Sequence, residues 1–188
     1  MPNQTAAFLG PFDTIQRRAA NPSLVAGAAP GALDFTIQVQ QQSNWCWAAV
    51  AASVLDYCAV EDGTPAMTQT AIAGQFLNAP TDNTPYPLST ALQFLHHQQG
   101  IVGTQMAFVD IVTEIGTRKR PVCCKIDWYD GSDGHYVVIM GCHNDSEQDV
   151  IILDPADAKF IPLHGAYTYK EFQQAYGSGH WGDTYQTK

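Results

Sequence analysis

Three short β-rich runs in the second half of the chain, residues 122–129, 135–143 and 150–154, are separated by Asp130-Gly131-Ser132-Asp133-Gly134 and by Asn144-Asp145-Ser146-Glu147-Gln148-Asp149. Both separators are strong turn chemistry, so the runs read as antiparallel neighbours. The first half reads differently. An Ala-rich helix, capped by Ser43 or Asn44, is expected to run to about Tyr57, because short polar side chains satisfy the open N–H groups of a helix start. Further helices are expected over 68–78, over 87–99 with Gly100 as the left-handed cap, and over 107–115. Residues 34–39 alternate apolar and polar positions and read as an opening strand; 159–163 and 180–186 read as later strands and 169–176 as a helix. Helices first and antiparallel strands second predict an α+β fold with two lobes. Residues 1–33 are rich in Ala, Pro, Gly and Asn without lasting period and read as a flexible leader or propeptide-like arm, leaving 34–188 as one domain.

Composition narrows the function classes. The 188 residues suffice for an apolar core, with 45% hydrophobic and 14% charged residues. A formal net charge of −9 argues against nucleic acid as a partner, since phosphate binding needs clustered Lys and Arg. The one basic run, Arg118-Lys119-Arg120, reads as a solvated turn. The N-terminus lacks a basic start and an apolar stretch, and no run has the length of a transmembrane helix. The expected location is therefore cytoplasmic, or outside the cell by a route that needs no signal peptide. Five cysteines with no C-x-x-C pair make no disulfide scaffold, and Cys58, Cys123, Cys124 and Cys142 read as buried small hydrophobes.

Cys46 stands apart. It lies at the turn into the Ala-rich helix, in Asn44-Trp45-Cys46-Trp47, where unpaired N–H groups and the positive end of the helix dipole favour a thiolate. A buried cysteine between two core tryptophans is the plain alternative. His135 follows a Gly-rich turn and opens a strand, although in register with Val137 and Ile139 it could equally be a core histidine. Asp154 ends the next strand, before Pro155. Antiparallel neighbours joined by a tight turn bring the start of one strand beside the end of the next, so Asp154 can reach His135; an Asp that merely caps the Asp-Pro turn is the competing view. The expected geometry has His135 Nδ1 bonded to Asp154 and Cys46 Sγ within about 4 Å of the other ring nitrogen. Acyl transfer also needs donors aimed at a developing oxyanion. The Cys46 N–H is one, and Gln40, six residues earlier, offers an amide as the second. Gln41 and Gln42 leave that choice open. His96-His97 has no partner at ligand spacing, so no metal site is expected, and Trp181 reads as a packing residue.

The blocks Gln38-Val39-Gln40-Gln41-Gln42-Ser43-Asn44-Trp45-Cys46-Trp47, Gly134-His135-Tyr136-Val137 and Ile152-Leu153-Asp154-Pro155 resemble the papain-like cysteine peptidases. They are most similar to the compact bacterial branch, with its bacteriocin-leader-processing peptidase domains and the avirulence cysteine proteases of plant pathogens. The resemblance spans about residue 34 to the C-terminus. It implies a papain-like two-lobed fold in which the catalytic Cys helix packs on a C-terminal antiparallel sheet. It further implies that Cys46 attacks an amide carbonyl, His135 shuttles the proton, Asp154 orients the imidazole and Gln40 lines the oxyanion hole, with no cofactor and with a protein or peptide as substrate. A bacterial effector is one role this implies. The Cys-Gly-Ser-Cys-Trp signature of the larger plant and lysosomal enzymes is missing, and the spacing of 89 residues from Cys46 to His135 is shorter than theirs. The same three residues would support a protein glutamine deamidase or transamidase, and the fold alone would support an inactive binding module.

Overall fold

The computed structural model describes residues 31–144, 148–156, 165–174 and 179–188. Most of the expected leader and the expected strand over 159–163 lie outside these residues.

The first long element is α1, Cys46–Asp62. It has almost no polar face in its first half: Trp47, Ala48, Ala49, Val50, Ala51, Ala52, Val54 and Leu55 are all fully buried. A helix that is apolar all round belongs at the centre of a domain. Small side chains let the rest of the core approach it closely, and each large buried side chain contributes about 1.5–3 kcal/mol. Gly63 ends the helix at a positive φ of 71°, and its N–H bonds back to Ala59 O. The helix starts later than expected and no side chain caps it; the cap position is Trp45.

Two short helices complete the helical lobe: α2, Gln69–Ala73, capped by the Thr68 hydroxyl, and α3, Leu88–Phe94. Both are shorter than expected. The third was expected to reach Gln99. Instead His96 takes a left-handed φ of 62°, and the chain turns into a strand, β1, Gln98–Val102. That strand gives the closing strand of the sheet a partner, with Ile101 opposite Tyr185. Residues 34–39 were expected as a strand. They are extended with alternating burial, yet form no ladder. Side chains of the helical lobe take up their backbone groups: Gln38 N–H donates to Ser53 Oγ at 2.8 Å and Val39 O accepts from Gln69 Nε2 at 2.9 Å.

After β1 come α4, Phe108–Val112, and one turn of π-helix, Thr113–Arg118. The sheet then forms from β2 (Val122–Trp128), β3 (His135–His143), β4 (Asp149–Leu153), β5 (Gly165–Thr168) and β6 (Gly179–Thr187). Its order is β1-β6-β2-β3-β4-β5, and each neighbouring pair is antiparallel. The helix α5, Tyr169–Gln173, carries a capping box between Thr168 and Glu171. Cys123 and Cys124 are both fully buried. Adjacent strand residues point to opposite faces, so helices cover the sheet on both sides at this point. Among the described residues, no helix is long and apolar enough to cross a membrane.

Candidate active site

Cys46 is the first residue of α1 and is 5% exposed. The first N–H groups of a helix have no partner within it, and here no side-chain cap takes them, so the thiol sits among open donors at the positive end of the dipole.

His135 reaches the same place from the sheet. It is the first residue of β3, opposite Ile126 of β2. The glycine before it is required. A Cβ on Gly134 would stand 2.5 Å from the Ile126 carbonyl oxygen, so a larger residue would force the β2–β3 hairpin apart. Asp154 follows the last residue of β4, and Val138 of β3 faces Leu153, which sets the carboxylate beside the start of β3.

His135 Nε2 and Asp154 Oδ1 are 2.7 Å apart. The sequence expectation named the other nitrogen, Nδ1. With Nε2 occupied, Nδ1 is the atom left for the hydrogen bond between this ring and Cys46. Asp154 Oδ1 also accepts the Ala156 N–H at 2.8 Å. The two competing readings of this aspartate are therefore both right: it caps its own turn and binds the histidine. The turn fixes the carboxylate that fixes the ring. The Asp154 side chain is 4% exposed and that of His135 15%. Burial alone would lower the basicity of the imidazole. The hydrogen bonds and charges of Asp154 and then Cys46 outweigh it and push its pKa up to about 10.

Trp128 is a site residue that sequence reasoning missed. Its ring stacks on His135 with centroids 6.3 Å apart and planes 17° apart. The signal was present: two positions beyond Ile126, which faces His135, a strand residue returns to the same side of the sheet. Trp181, by contrast, is a packing residue as expected, buried against Phe172 with centroids 5.0 Å apart.

Gln40 approaches from the helical lobe. Its N–H donates to Pro155 O at 2.7 Å, tying it to the residue after Asp154. Its Nε2 donates to Gln42 O at 3.0 Å and Ser43 O at 2.7 Å, and its Oε1 is buried without a partner. Gln41 turns away, its N–H donating to Gln69 Oε1 and its Oε1 accepting from Thr70 Oγ1.

No disulfide joins any of the five cysteines. Burial pushes the Cys142 thiol up to about 11 and raises Cys123 and Cys124 further. Cys58 is only half-buried, contrary to expectation: it packs against the margin of the core, with its Sγ 3.6 Å from Lys188 O. His97 packs inward with Nδ1 3.4 Å from Lys188 O. Among the described residues, no group of three His, Cys, Asp or Glu side chains could hold a metal ion.

No curated protein sequence matches the chain. The fold is similar to that of the peptidase domain of Streptococcus ComA, a bi-functional ABC transporter involved in a quorum-sensing pathway. There the TM-score is 0.51 and the identity 17%, over 81% of this chain and 97% of that one. It is also similar to a chain from a structural study of the mite allergens Blo t 1 and Der p 1. That match has a TM-score of 0.55 and 14% identity, over 94% of this chain and 77% of that one. The family described as papain-like cysteine protease AvrRpt2 matches residues 30–176. With most of its length in that match, the chain belongs to the papain-like cysteine proteases of the AvrRpt2 family.

Proposed function

We propose that this cysteine peptidase cleaves a peptide or isopeptide bond through an acyl-enzyme on Cys46, with His135 as acid and base, Asp154 as its orienting partner and Gln40 in the oxyanion hole. One observation carries the reading. A single imidazole is held by a buried carboxylate at 2.7 Å through Nε2 and bonded to the thiol of a helix start.

The chemistry follows from that arrangement. Proton transfer from Cys46 Sγ to His135 gives the thiolate, which attacks the scissile carbonyl carbon. The carbonyl π electrons move onto oxygen, where the Cys46 N–H and the Gln40 amide stabilise the charge. Collapse breaks the C–N bond, and the imidazolium gives its proton to the leaving amine. Water, deprotonated by the same ring, then releases the acid. Asp154 holds the ring through both steps. An amine in place of water would give transamidation, and a side-chain amide as substrate would give deamidation.

The Gln40 amide has a particular demand on it. Its two N–H groups already point at Gln42 O and Ser43 O, so it must share one of them with the oxyanion. Gln40→Ala is therefore expected to lower kcat by about 100-fold, near the lower bound for losing one oxyanion donor. Gln41→Ala, whose side chain serves α2, should stay within about twofold. Equal losses in steady-state turnover for the two variants would remove Gln40 from the role.

The family match covers residues 30–176, which lends support to the bulk of residues 34–188 as the peptidase domain, and we propose the residues before it as an arm. Residues 31–33 add an edge contact, since Leu33 N–H donates to Met140 O at 2.9 Å. The decisive test is a peptidyl epoxide followed by peptide mass mapping. A single adduct on Cys46, blocked by prior Cys46 alkylation, is expected. An adduct elsewhere, or none, would remove the acyl-enzyme reading. Added amine then separates hydrolysis from transamidation by the mass of the product.

A further inference from the structure

We infer that Asn83 is a positioning residue for this reaction, holding the turn before Cys46 so that both oxyanion donors are aimed. The inference rests on the acyl-enzyme reading above and adds to it a residue from a separate loop.

The turn from Gln40 to Cys46 has little to fix it from within. Trp45 N–H donates to Gln42 O at 3.1 Å, but no side chain caps the helix start. The larger enzymes it resembles carry a second cysteine three residues before the nucleophile; here that place is Ser43. A loop between α2 and α3 supplies the order. Asp82, Asn83 and Thr84 bond to four residues around the nucleophile. Asp82 O accepts from Trp45 Nε1 at 2.8 Å and Thr84 O from Trp47 Nε1 at 3.2 Å. Asn83 makes the central contacts. Its Oδ1 accepts the Asn44 N–H at 2.9 Å, its Nδ2 donates to Ser43 Oγ at 2.8 Å, and its own carbonyl accepts Asn44 Nδ2 at 3.0 Å.

Two features turn this contact into a catalytic argument. First, Ser43 is shared: its hydroxyl takes Asn83, and its carbonyl takes the Gln40 amide at 2.7 Å. Asn83 thus reaches one proposed oxyanion donor through Ser43 and the other, the Cys46 N–H, through Asn44 two residues away. Second, Ser43, Asn44 and Asn83 are all exposed, so these bonds contribute little to the core and their loss leaves the fold standing. An asparagine suits the position because it accepts and donates at once. Its orientation is set by the backbone, since a reversed amide would put N–H against the Asn44 N–H. The loop is itself stiffened: Ala79 N–H donates to Asp82 Oδ2 and Asp82 N–H to Ala79 O, each at 3.0 Å.

The test uses the full chain with Asn83→Ala, Asn83→Asp and Ser43→Ala, and three readouts. Peptide turnover needs the nucleophile and the oxyanion donors. Affinity for a peptidyl aldehyde needs both, because the thiohemiacetal carries the oxygen into the same donors. Iodoacetamide alkylation of Cys46 needs the thiolate alone. For Asn83→Ala, kcat and aldehyde affinity should fall between about 10-fold and 100-fold, the range for a small misplacement of reacting groups. KM and the alkylation rate should stay within about twofold. Asn83→Asp keeps the acceptor for Asn44 and should recover part of the loss, while Ser43→Ala should reproduce part of it. Wild-type kcat and aldehyde affinity in Asn83→Ala would overturn the inference. So would alkylation falling in step with turnover, which marks a general loss of the site. If the wild-type protein itself failed to bind the aldehyde, the acyl-enzyme reading would fall, and the positioning role with it.

Discussion

Cys46→Ala is expected to lower peptide hydrolysis by at least about 10⁴-fold, because a nucleophile and its base act as one unit and little remains when either is gone. The fold should survive the change. Cys46 sits near Ala48, Ala49, Ala51 and Ala52 on α1, and replacing a thiol by hydrogen there removes one atom from a helix start rich in alanine. The companion experiment is native alkylation near pH 7. Cys123, Cys124 and Cys142 are buried with thiols pushed well above neutrality, so their thiolate fraction is negligible. The contest is between Cys46 and the half-buried Cys58, and Cys46 has the imidazole of His135 bonded to it. Mass mapping at short times should find Cys46 modified first. Fast modification of Cys58, with Cys46 untouched and turnover intact, would mean that the nucleophile lies elsewhere.

The sheet and the contact between His135 and Asp154 were largely legible in the sequence, whereas the connections within the helical lobe were not. The β2–β3–β4 hairpins follow from turn chemistry and β-branched runs within about 30 residues, and such local signals survive folding. They bring the end of β4 beside the start of β3, so that Asp154 can reach His135. The short elements failed for non-local reasons. Residues 98 and 99 continue an apparently helical pattern up to Gly100, and what makes 98–102 a strand is β6, more than 80 residues away. Residues 34–39 alternate like a strand, yet Ser53 and Gln69 occupy the backbone groups a neighbouring strand would need. The ring nitrogen facing Asp154 was misread because it depends on the direction from which the β4 end approaches, which alternation does not encode. Asn83 was invisible for the same reason. A Thr-Asp-Asn-Thr loop reads as a turn, and nothing in its spelling says that it binds residues 39 and 40 positions earlier.

His135→Ala should match the loss in Cys46→Ala, and Asp154→Asn should be milder, because asparagine can still accept from Nε2–H and orient the ring. A neutral partner cannot hold the ring protonated, so the two variants differ in pH dependence as well as in rate. Burial works against the imidazolium, and the Asp154 carboxylate is the foremost group opposing it, with the result that the His135 pKa stands at about 10 against an ordinary 6.5. The sign follows directly. A histidine whose folded pKa is raised stabilises the native state fully below pH 6.5, and that contribution is lost as pH climbs through about 10. Denaturation midpoints of the wild-type protein should therefore drop between pH 6.5 and pH 10 relative to His135→Ala, which lacks the titrating group. In Asp154→Asn the drop should shrink and move toward neutral pH, because burial then acts with less opposition. The alkaline limb of kcat/KM should move the same way, since deprotonated imidazole cannot give the leaving amine its proton. Identical alkaline losses in the wild-type and Asp154→Asn proteins would show that Asp154 does not hold the imidazolium. The 2.7 Å contact would then serve only to position the ring.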